Sequence, residues 1–200
     1  MRAVNPAEQL IVFLKAPRPG DVKTRMAETM GADRACDAYR KMVETVLGIM
    51  SVFNNVELRF APDDAREEIA PWLREGWTAV PQGDGDLGQR MHRAFADAFA
   101  RGTERVVIIG SDCIEIETKD IRSAFRELKS YDVVVGPAID GGYWLIGLRA
   151  PRTELFQNIA WSTDAVLGQT LQHAKAAGLR IQLLRILSDV DTEADWERHG

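Results

Sequence analysis

The chain predicts an α/β fold in three layers, a mostly parallel mixed sheet between two layers of helices. Short apolar runs bounded by Gly, Pro and Asp read as strands. Longer segments carry apolar residues at three- and four-residue steps, the spacing of one helix face. The two kinds alternate along the sequence, the order that builds a parallel sheet covered on both sides. The 200 residues suffice for one sizeable domain and are few for two. No repeat or linker interrupts them, so a single domain over 1–200 is expected.

The first strand is expected at 10–14, where Ile11, Val12 and Phe13 are followed by the breakers Pro17, Pro19 and Gly20. Helices follow from about 22 and over 32–50. In the second of these, Cys36, Tyr39, Val43, Val46, Leu47 and Met50 trace one apolar face. Residues 56–61 alternate apolar and polar like a strand, and a polar helix is expected over 63–73. A brief strand at 78–80 leads into a Gly/Asp loop. A helix then carries Leu87, Met91, Ala94, Phe95, Ala98 and Phe99 on one side. The unbroken apolar run 106–109 suits a central strand buried on both faces. A helix at 118–129 comes next, then strands at 133–135 and 143–148. Asp140-Gly141-Gly142 separates that pair closely enough to suggest an antiparallel excursion. A helix at 163–177, a strand at 181–186 and a short terminal helix close the chain.

Composition narrows the function. Twenty-five Lys and Arg against 30 Asp and Glu leave a formal charge of −5. Such a chain is a poor partner for nucleic acid or an anionic membrane surface, and binds a small anion only through a local basic cluster. No apolar run approaches the roughly 20 residues of a membrane span. The start, with Pro6 and Glu8 before a short apolar run, does not read as a secretory signal. Two cysteines, Cys36 and Cys113, are too few for a disulfide scaffold, so a cytoplasmic location is the expectation. His92, His173 and His199 lie far apart, without the spacing of a zinc site.

In an open α/β sheet ligands gather beyond the carboxyl ends of the strands, so the loops leaving each apolar run are the candidate sites. The first loop holds Lys15, Gly20, Lys23 and Arg25 just before a helix. It offers positive charge and a close backbone approach to a phosphate group, although it lacks P-loop spacing. The loop Gln82 to Arg90 contains Gly83, Gly85, Asp86 and Gly88. It reads as a turn with an N-cap, or as a nucleotide loop in which Gln82 and backbone groups read a base edge. Ser111 and Asp112 stand where the most apolar strand ends. Asp112, with Glu115 or Glu117 near it, suits a hard divalent cation, Mg²⁺ or Mn²⁺, while Cys113 reads as a small buried residue. Asp140 is either part of a turn or a group that deprotonates or orients an acceptor hydroxyl. Trp161-Ser162-Thr163-Asp164 reads as a capped helix start. After the last strand, Asp191 or Thr192 caps the terminal helix, or Asp189 and Asp191 complete a metal shell with Asp112.

Taken together these loops resemble a known family. FLKAPRPGDVKTRM (13–26), GDLGQRM (85–91), VVIIGSDC (106–113), VVVGPAIDGGYWLIGL (133–148), IAWSTDAVL (159–167) and LSDVDTEADW (187–196) look like the bacterial glycosyltransferase-A-like proteins described as DUF2064, or radical-SAM/selenodomain-associated transferase 1. The stretches run in family order across nearly the whole chain. The resemblance implies a GT-A-like, nucleotide-diphospho-sugar transferase fold and a nucleotide-activated donor bound with a divalent metal. It implies Lys23 and Arg25 as phosphate ligands and Asp112 as the metal carboxylate. Asp191, or Asp189, would be its second ligand, and 82–88 would lie near the base. One departure is Ile114, where the family has Pro. The expected activity is glycosyl transfer from a nucleotide sugar to a small-molecule acceptor. The alternatives are nucleotidyl transfer from a nucleoside triphosphate with release of pyrophosphate, and nucleotide or partner binding without turnover. The oligomeric state stays open.

Overall fold

A computed structural model describes residues 7–198. The strands are β1 (Glu8–Lys15), β2 (Val56–Ala61), β3 (Trp77–Pro81), β4 (Arg105–Ile109), β5 (Val133–Pro137), β6 (Tyr143–Leu148) and β7 (Ile181–Leu183). The α-helices are α1 (Thr24–Met30), α2 (Ala32–Met50), α3 (Arg66–Ile69), α4 (Leu87–Ala100), α5 (Thr118–Glu127), α6 (Val166–Ala176) and α7 (Glu193–Glu197). One sheet joins all seven strands in the order β3-β2-β1-β4-β6-β5-β7. Every pairing is parallel except the two made by β6. The connection from β5 to β6 is too short for a crossover, so the chain must double back antiparallel. Gly141 makes that reversal at φ +87°, with the backbone of Asp164 pressed against it.

Strand periodicity sorts the apolar residues between two faces. Leu10, Val12 and Leu14 of β1, with Val107 and Ile109 of β4, pack beneath α2 and α5. Ile11, Val106 and Ile108 point the other way, toward Met91, Phe95 and Ala98 of α4 and Ala174 of α6. Leu10, Ile11 and Val12 are fully buried, each contributing about 1.5–3 kcal/mol relative to exposure. A smaller cluster, Met26, Ala35, Ala38, Met42 and Val190, fixes α1 and the last loop onto α2. No helix of the described residues is long and apolar enough to cross a membrane.

Four expected boundaries move, each for a local reason. The first helix begins at Thr24, because Lys23 ahead of it is in the left-handed region at φ 46°. The polar helix at 63–73 shrinks to α3 and a 3₁₀ turn at Ala70–Trp72, where Pro71 has no N–H to continue the α ladder. The helix at 163–177 starts at Val166. Ser162 has φ 64°, and the Thr163 hydroxyl donates to the Ala160 carbonyl in a turn that precedes the helix rather than capping it. The strand at 181–186 leaves the ladder after Leu183. The chain still runs beside β5, with Leu184 N–H donating to the Val135 carbonyl and Leu187 N–H to that of Pro137.

The alternating strand 56–61 buries both faces. Glu57 and Arg59, on the polar side of β2, lie under α4 with 2% and 1% of their side chains exposed. Arg59 donates through Nε to Glu57 and through Nη2 to Asp97 (2.7 Å), while Arg101 donates to Glu57 (2.7 Å). At the far edge Asp132 anchors the approach to β7. Its carboxylate accepts the Arg180 backbone N–H (3.0 Å) and the Arg180 side chain, and these hold its pKa below the ordinary carboxylate value.

Glu57→Gln is expected to cost about 3–5 kcal/mol, because it removes the buried carboxylate shared by Arg59 and Arg101 and leaves the Arg59 guanidinium with Asp97 as its remaining charged partner. The double variant Glu57→Leu/Arg59→Met should recover part of that loss in urea denaturation. Because the pKa of Asp132 is depressed in the fold, its stabilisation is present at neutral pH and is lost as pH falls through that lowered value. Thermal melts of Asp132→Asn should therefore lie below wild type at pH 7, the gap closing as pH drops below about 4.

Candidate active site

Strand order reverses at β1, which pairs with β2 on one side and β4 on the other. The connections from β1 and β4 depart to either side of that point, the place beyond the strand ends where open α/β sheets bind ligands. The loop after β1 carries Lys23 into it, and the loop after β4 carries Ser111 and Asp112. A third segment arrives from the opposite edge of the sheet. After Leu187 pairs beside β5, Val190 N–H donates to the Asp112 carbonyl (3.1 Å), and the Val190 side chain is buried against α1 and α2. Thr192 caps α7 by accepting the Asp195 N–H, so Asp191 is not needed as the cap and turns toward Lys23.

Lys23 is the centre of the arrangement. Its side chain is 6% exposed, and its Nζ donates to Asp112 Oδ2 and to Asp191 Oδ1, each at 2.9 Å. Burial alone would lower the ammonium pKa, but the two carboxylates more than offset it and hold the group charged well above its ordinary value. Left-handed backbone is uncommon for a residue with a side chain, and it aims this one inward. Arg25 lies at the rim, 73% exposed, with Nη1 3.4 Å from Asp191. Asp189 is the third carboxyl here. Burial, reinforced by Asp112, pushes its pKa up to about 7, with Lys23 pulling the other way.

The floor beneath is held by Tyr39. Its hydroxyl accepts the Lys15 N–H (2.7 Å) and shares a hydrogen bond with the buried Ser111 hydroxyl (3.2 Å). Burial lifts the phenol to about 12, so it remains a neutral O–H. In sequence Tyr39 belongs to the apolar stripe of α2, and nothing in that pattern marks it as the link between two site loops. Cys113 is buried and its thiol pKa is raised by that burial, which suits packing and not nucleophilic attack.

The structure thus brings together Lys23, Arg25, Ser111, Asp112 and Asp191, with Asp189 beside them. Lys15 contributes its backbone, its side chain being exposed, and Gly20 turns in open space at φ +88°. Asp140 is exposed and accepts the Gly142 N–H (2.9 Å) in its own turn, close enough to Asp189 to raise that group's pKa. α1 has only seven residues, so the positive charge at the first loop is that of the Lys23 and Arg25 side chains.

In the 82–88 loop, expected to read a base edge through Gln82 and backbone groups, the Gln82 side chain is turned into the protein. Gln82 is 6% exposed, and its amide nitrogen donates to the carbonyls of Leu14 and Arg59, both at 3.0 Å. Both amide donors are thereby spent on holding strand ends together. Asp86 forms a reciprocal capping box with Gln89. Gly85 turns at φ +100° against Gln89, and Gly88 leaves room for the Trp161 ring and the Phe156 carbonyl. Arg90 and Arg93 went unremarked in the sequence, yet they pin this loop through the carbonyls of Gly85, Gln82 and Asp84. Of the histidines, His92 bonds Thr153 and His173 the Glu154 carbonyl; His199 lies outside the described residues. A groove of about 550 Å³ opens at the opposite pole, between Phe53, Asn55, Arg122 and Phe125, and contains none of these carboxylates. Converging charge, and not concavity, marks the candidate site.

Tyr39→Phe is expected to destabilise the chain by about 1–3 kcal/mol in urea denaturation, since it leaves the Lys15 N–H without its acceptor.

Comparison with known proteins gives a consistent picture. The model of the family described as "Uncharacterized protein conserved in bacteria (DUF2064)" matches residues 50–163. The crystal structure of a proposed nucleotide-diphospho-sugar transferase from Desulfovibrio desulfuricans G20 superposes with a TM-score of 0.88 at 34% identity, covering 93% of this chain and 83% of that one. CMP:2-keto-3-deoxy-manno-octonic acid synthetase complexed with CTP superposes with a TM-score of 0.62 at 10% identity, covering 96% of each chain. Rv0371c of Mycobacterium tuberculosis H37Rv in complex with manganese superposes with a TM-score of 0.55 at 13% identity, covering 96% and 97%. No curated protein matches the chain.

Proposed function

The chain belongs to the bacterial DUF2064 family, and we propose that it is a transferase acting on a nucleotide-activated donor, with glycosyl transfer from a nucleotide sugar as its reaction. The observation that carries this reading is the bridge from Lys23 to Asp112 and Asp191 at the strand-order reversal. It is supported by the 34% identical structure, itself described as a proposed nucleotide-diphospho-sugar transferase.

The donor set fits a hard divalent cation. Asp112 and Asp191 present carboxylate oxygens already gathered about one positive centre. Mg²⁺ is commonly held by one or two carboxylates together with substrate phosphates. Among the described residues, no three His, Cys, Asp or Glu side chains gather as a metal-binding group. The manganese complex of Rv0371c concerns a protein of the same fold and supports the choice of Mg²⁺ or Mn²⁺. Asp112 and Asp191 would hold the ion, which when bound supplies positive charge opposite the donor's phosphates.

The chemical problem in such a transfer is negative charge building on the departing diphosphate. Lys23 and Arg25, on the loop after β1, are placed to receive that charge, with Lys23 already shielded from water. Ser111 and the backbone at Lys15 define the floor below. Asp140 is assigned to orient or deprotonate the acceptor hydroxyl from the β5–β6 turn. Gly85, Asp86 and Gly88 shape the wall on the β3 side. Nucleotidyl transfer from a nucleoside triphosphate is the second reading. It is favoured by the same Lys23–Arg25 pair, which suits a triphosphate equally well, and pyrophosphate release distinguishes it.

Thermal denaturation with nucleoside diphosphate sugars and nucleoside triphosphates, each with and without Mn²⁺, tests the reading. A ligand at 100 times its dissociation constant adds about 2.7 kcal/mol, a shift of about 5–10 °C for a chain of this size. The expected result is a Mn²⁺-dependent shift that Asp112→Ala abolishes, largest for a nucleoside diphosphate sugar. A triphosphate that shifts the midpoint more and yields pyrophosphate moves the assignment to nucleotidyl transfer. No shift with any nucleotide would leave binding of a partner without turnover.

A further inference from the structure

We propose that Lys23 is the resident counter-ion of the metal seat: its ammonium and a divalent cation occupy the Asp112–Asp191 pair in turn, and arrival of the ion releases Lys23. This rests on the cation seat assigned above and adds a role for Lys23 before any nucleotide binds.

The geometry supports exclusive occupancy. A divalent ion lies about 2.0–2.1 Å from its oxygen ligands when it is Mg²⁺. Lys23 Nζ already stands 2.9 Å from one oxygen of each carboxylate, so an ion bridging those two oxygens from the side the ammonium occupies would overlap the nitrogen. Like charges that close repel, and the Lys23 side chain is 6% exposed while each carboxylate keeps 36%. Among the described residues, the other cation bonded to the pair is Arg25. Arg25 is 73% exposed and reaches only Asp191, at 3.4 Å.

A second observation shows that Lys23 is held under constraint. It sits at φ 46°, ψ 49°, with no side-chain cap for the helix that follows. A non-glycine residue in that region persists when its surroundings over-determine it. Here the surroundings are two charge-assisted bonds to segments 89 and 168 residues away. A cation that takes both carboxylates removes that hold and frees a long, flexible ammonium on the donor side of the site. Without either cation the pair would be two part-buried carboxylates in mutual repulsion beside Asp189. The lysine thus keeps the seat assembled until the ion arrives.

The test is Mn²⁺ calorimetry at one fixed pH, without nucleotide, on wild type, Lys23→Met, Lys23→Arg and Asp112→Asn. Lys23→Met, which keeps an unbranched chain one atom shorter and removes the charge, is expected to bind Mn²⁺ about tenfold tighter or more. Lys23→Arg should show no such gain. Equal or weaker binding by Lys23→Met, with wild-type binding that Asp112→Asn abolishes, overturns the shared seat and leaves the metal assignment standing. Wild-type affinity retained in Asp112→Asn defeats the metal assignment, and this proposal with it. Absence of Mn²⁺ binding in both wild type and Lys23→Met also overturns the proposal, because a vacated seat would then attract no ion.

A second measurement needs no variant and decides the matter if Lys23→Met does not fold. Acylation of lysine amines in the wild-type chain, read by peptide mass, should modify Lys23 slowly without metal and several-fold faster with Mn²⁺. Labelling of Lys23 that does not respond to Mn²⁺ overturns the proposal.

Discussion

The ammonium of Lys23, enclosed by protein and bonded at 2.9 Å to carboxylates from two distant loops, is the interaction on which the site's assembly depends. A charge removed from water is tolerated only when fully paired, so Asp112 and Asp191 must be where they are for the loop after β1 to close over its own lysine. The dependence runs both ways. Removing Lys23 leaves carboxylates facing one another, and removing either carboxylate leaves a buried cation with half its partners. Three chain segments are thereby locked at one end of the sheet, beyond what backbone pairing alone would fix.

Two apolar anchors make that closure possible. Val190 is buried beneath α1 and α2, and its two neighbours, Asp189 and Asp191, consequently flank a fixed point. Tyr39 does the equivalent from below, joining the Lys15 backbone to the Ser111 hydroxyl across 24 and 72 residues. Charged groups placed by buried neighbours lose little freedom when a ligand arrives, which is the physical content of a preorganised site. A separate polar network, Glu57–Arg59 with Asp97 and Arg101, fastens α4 to the other face of the sheet. None of its side chains bonds to Lys23, Asp112 or Asp191.

The β3-side loop shows how a motif can be real and still be used for structure. Its glycine turns and N-cap were legible, and the structure forms both. What the side chains do there is set by partners remote in sequence. Gln82 faces inward because the ends of β1 and β2 leave carbonyls that need donors, and Arg90 and Arg93 close the loop from the helix behind it. Its exposed side chains are those of Asp84, Asp86 and Leu87, while Gln82 is turned inward.

By itself the sequence determined the alternation of strands and helices, the antiparallel return at Gly141 and the loops that hold chemistry, because all of these rest on local periodicity, breakers and caps. The extents of α2, β2 and β6 follow directly from their apolar patterns. It determined the family too, through motifs in a recognisable order. Only the tertiary structure decided between Asp191 and Thr192 as the cap of α7, since the choice depended on whether Lys23 stood within reach. Only the fold could show Tyr39 as a link between loops and Glu57 and Arg59 as buried charges, because a helical stripe or an alternating strand looks the same whichever surface covers it. The placement of Lys23 belongs to the same class: a basic loop residue becomes the occupant of a carboxylate pair only when segments 89 and 168 residues away fold back around it.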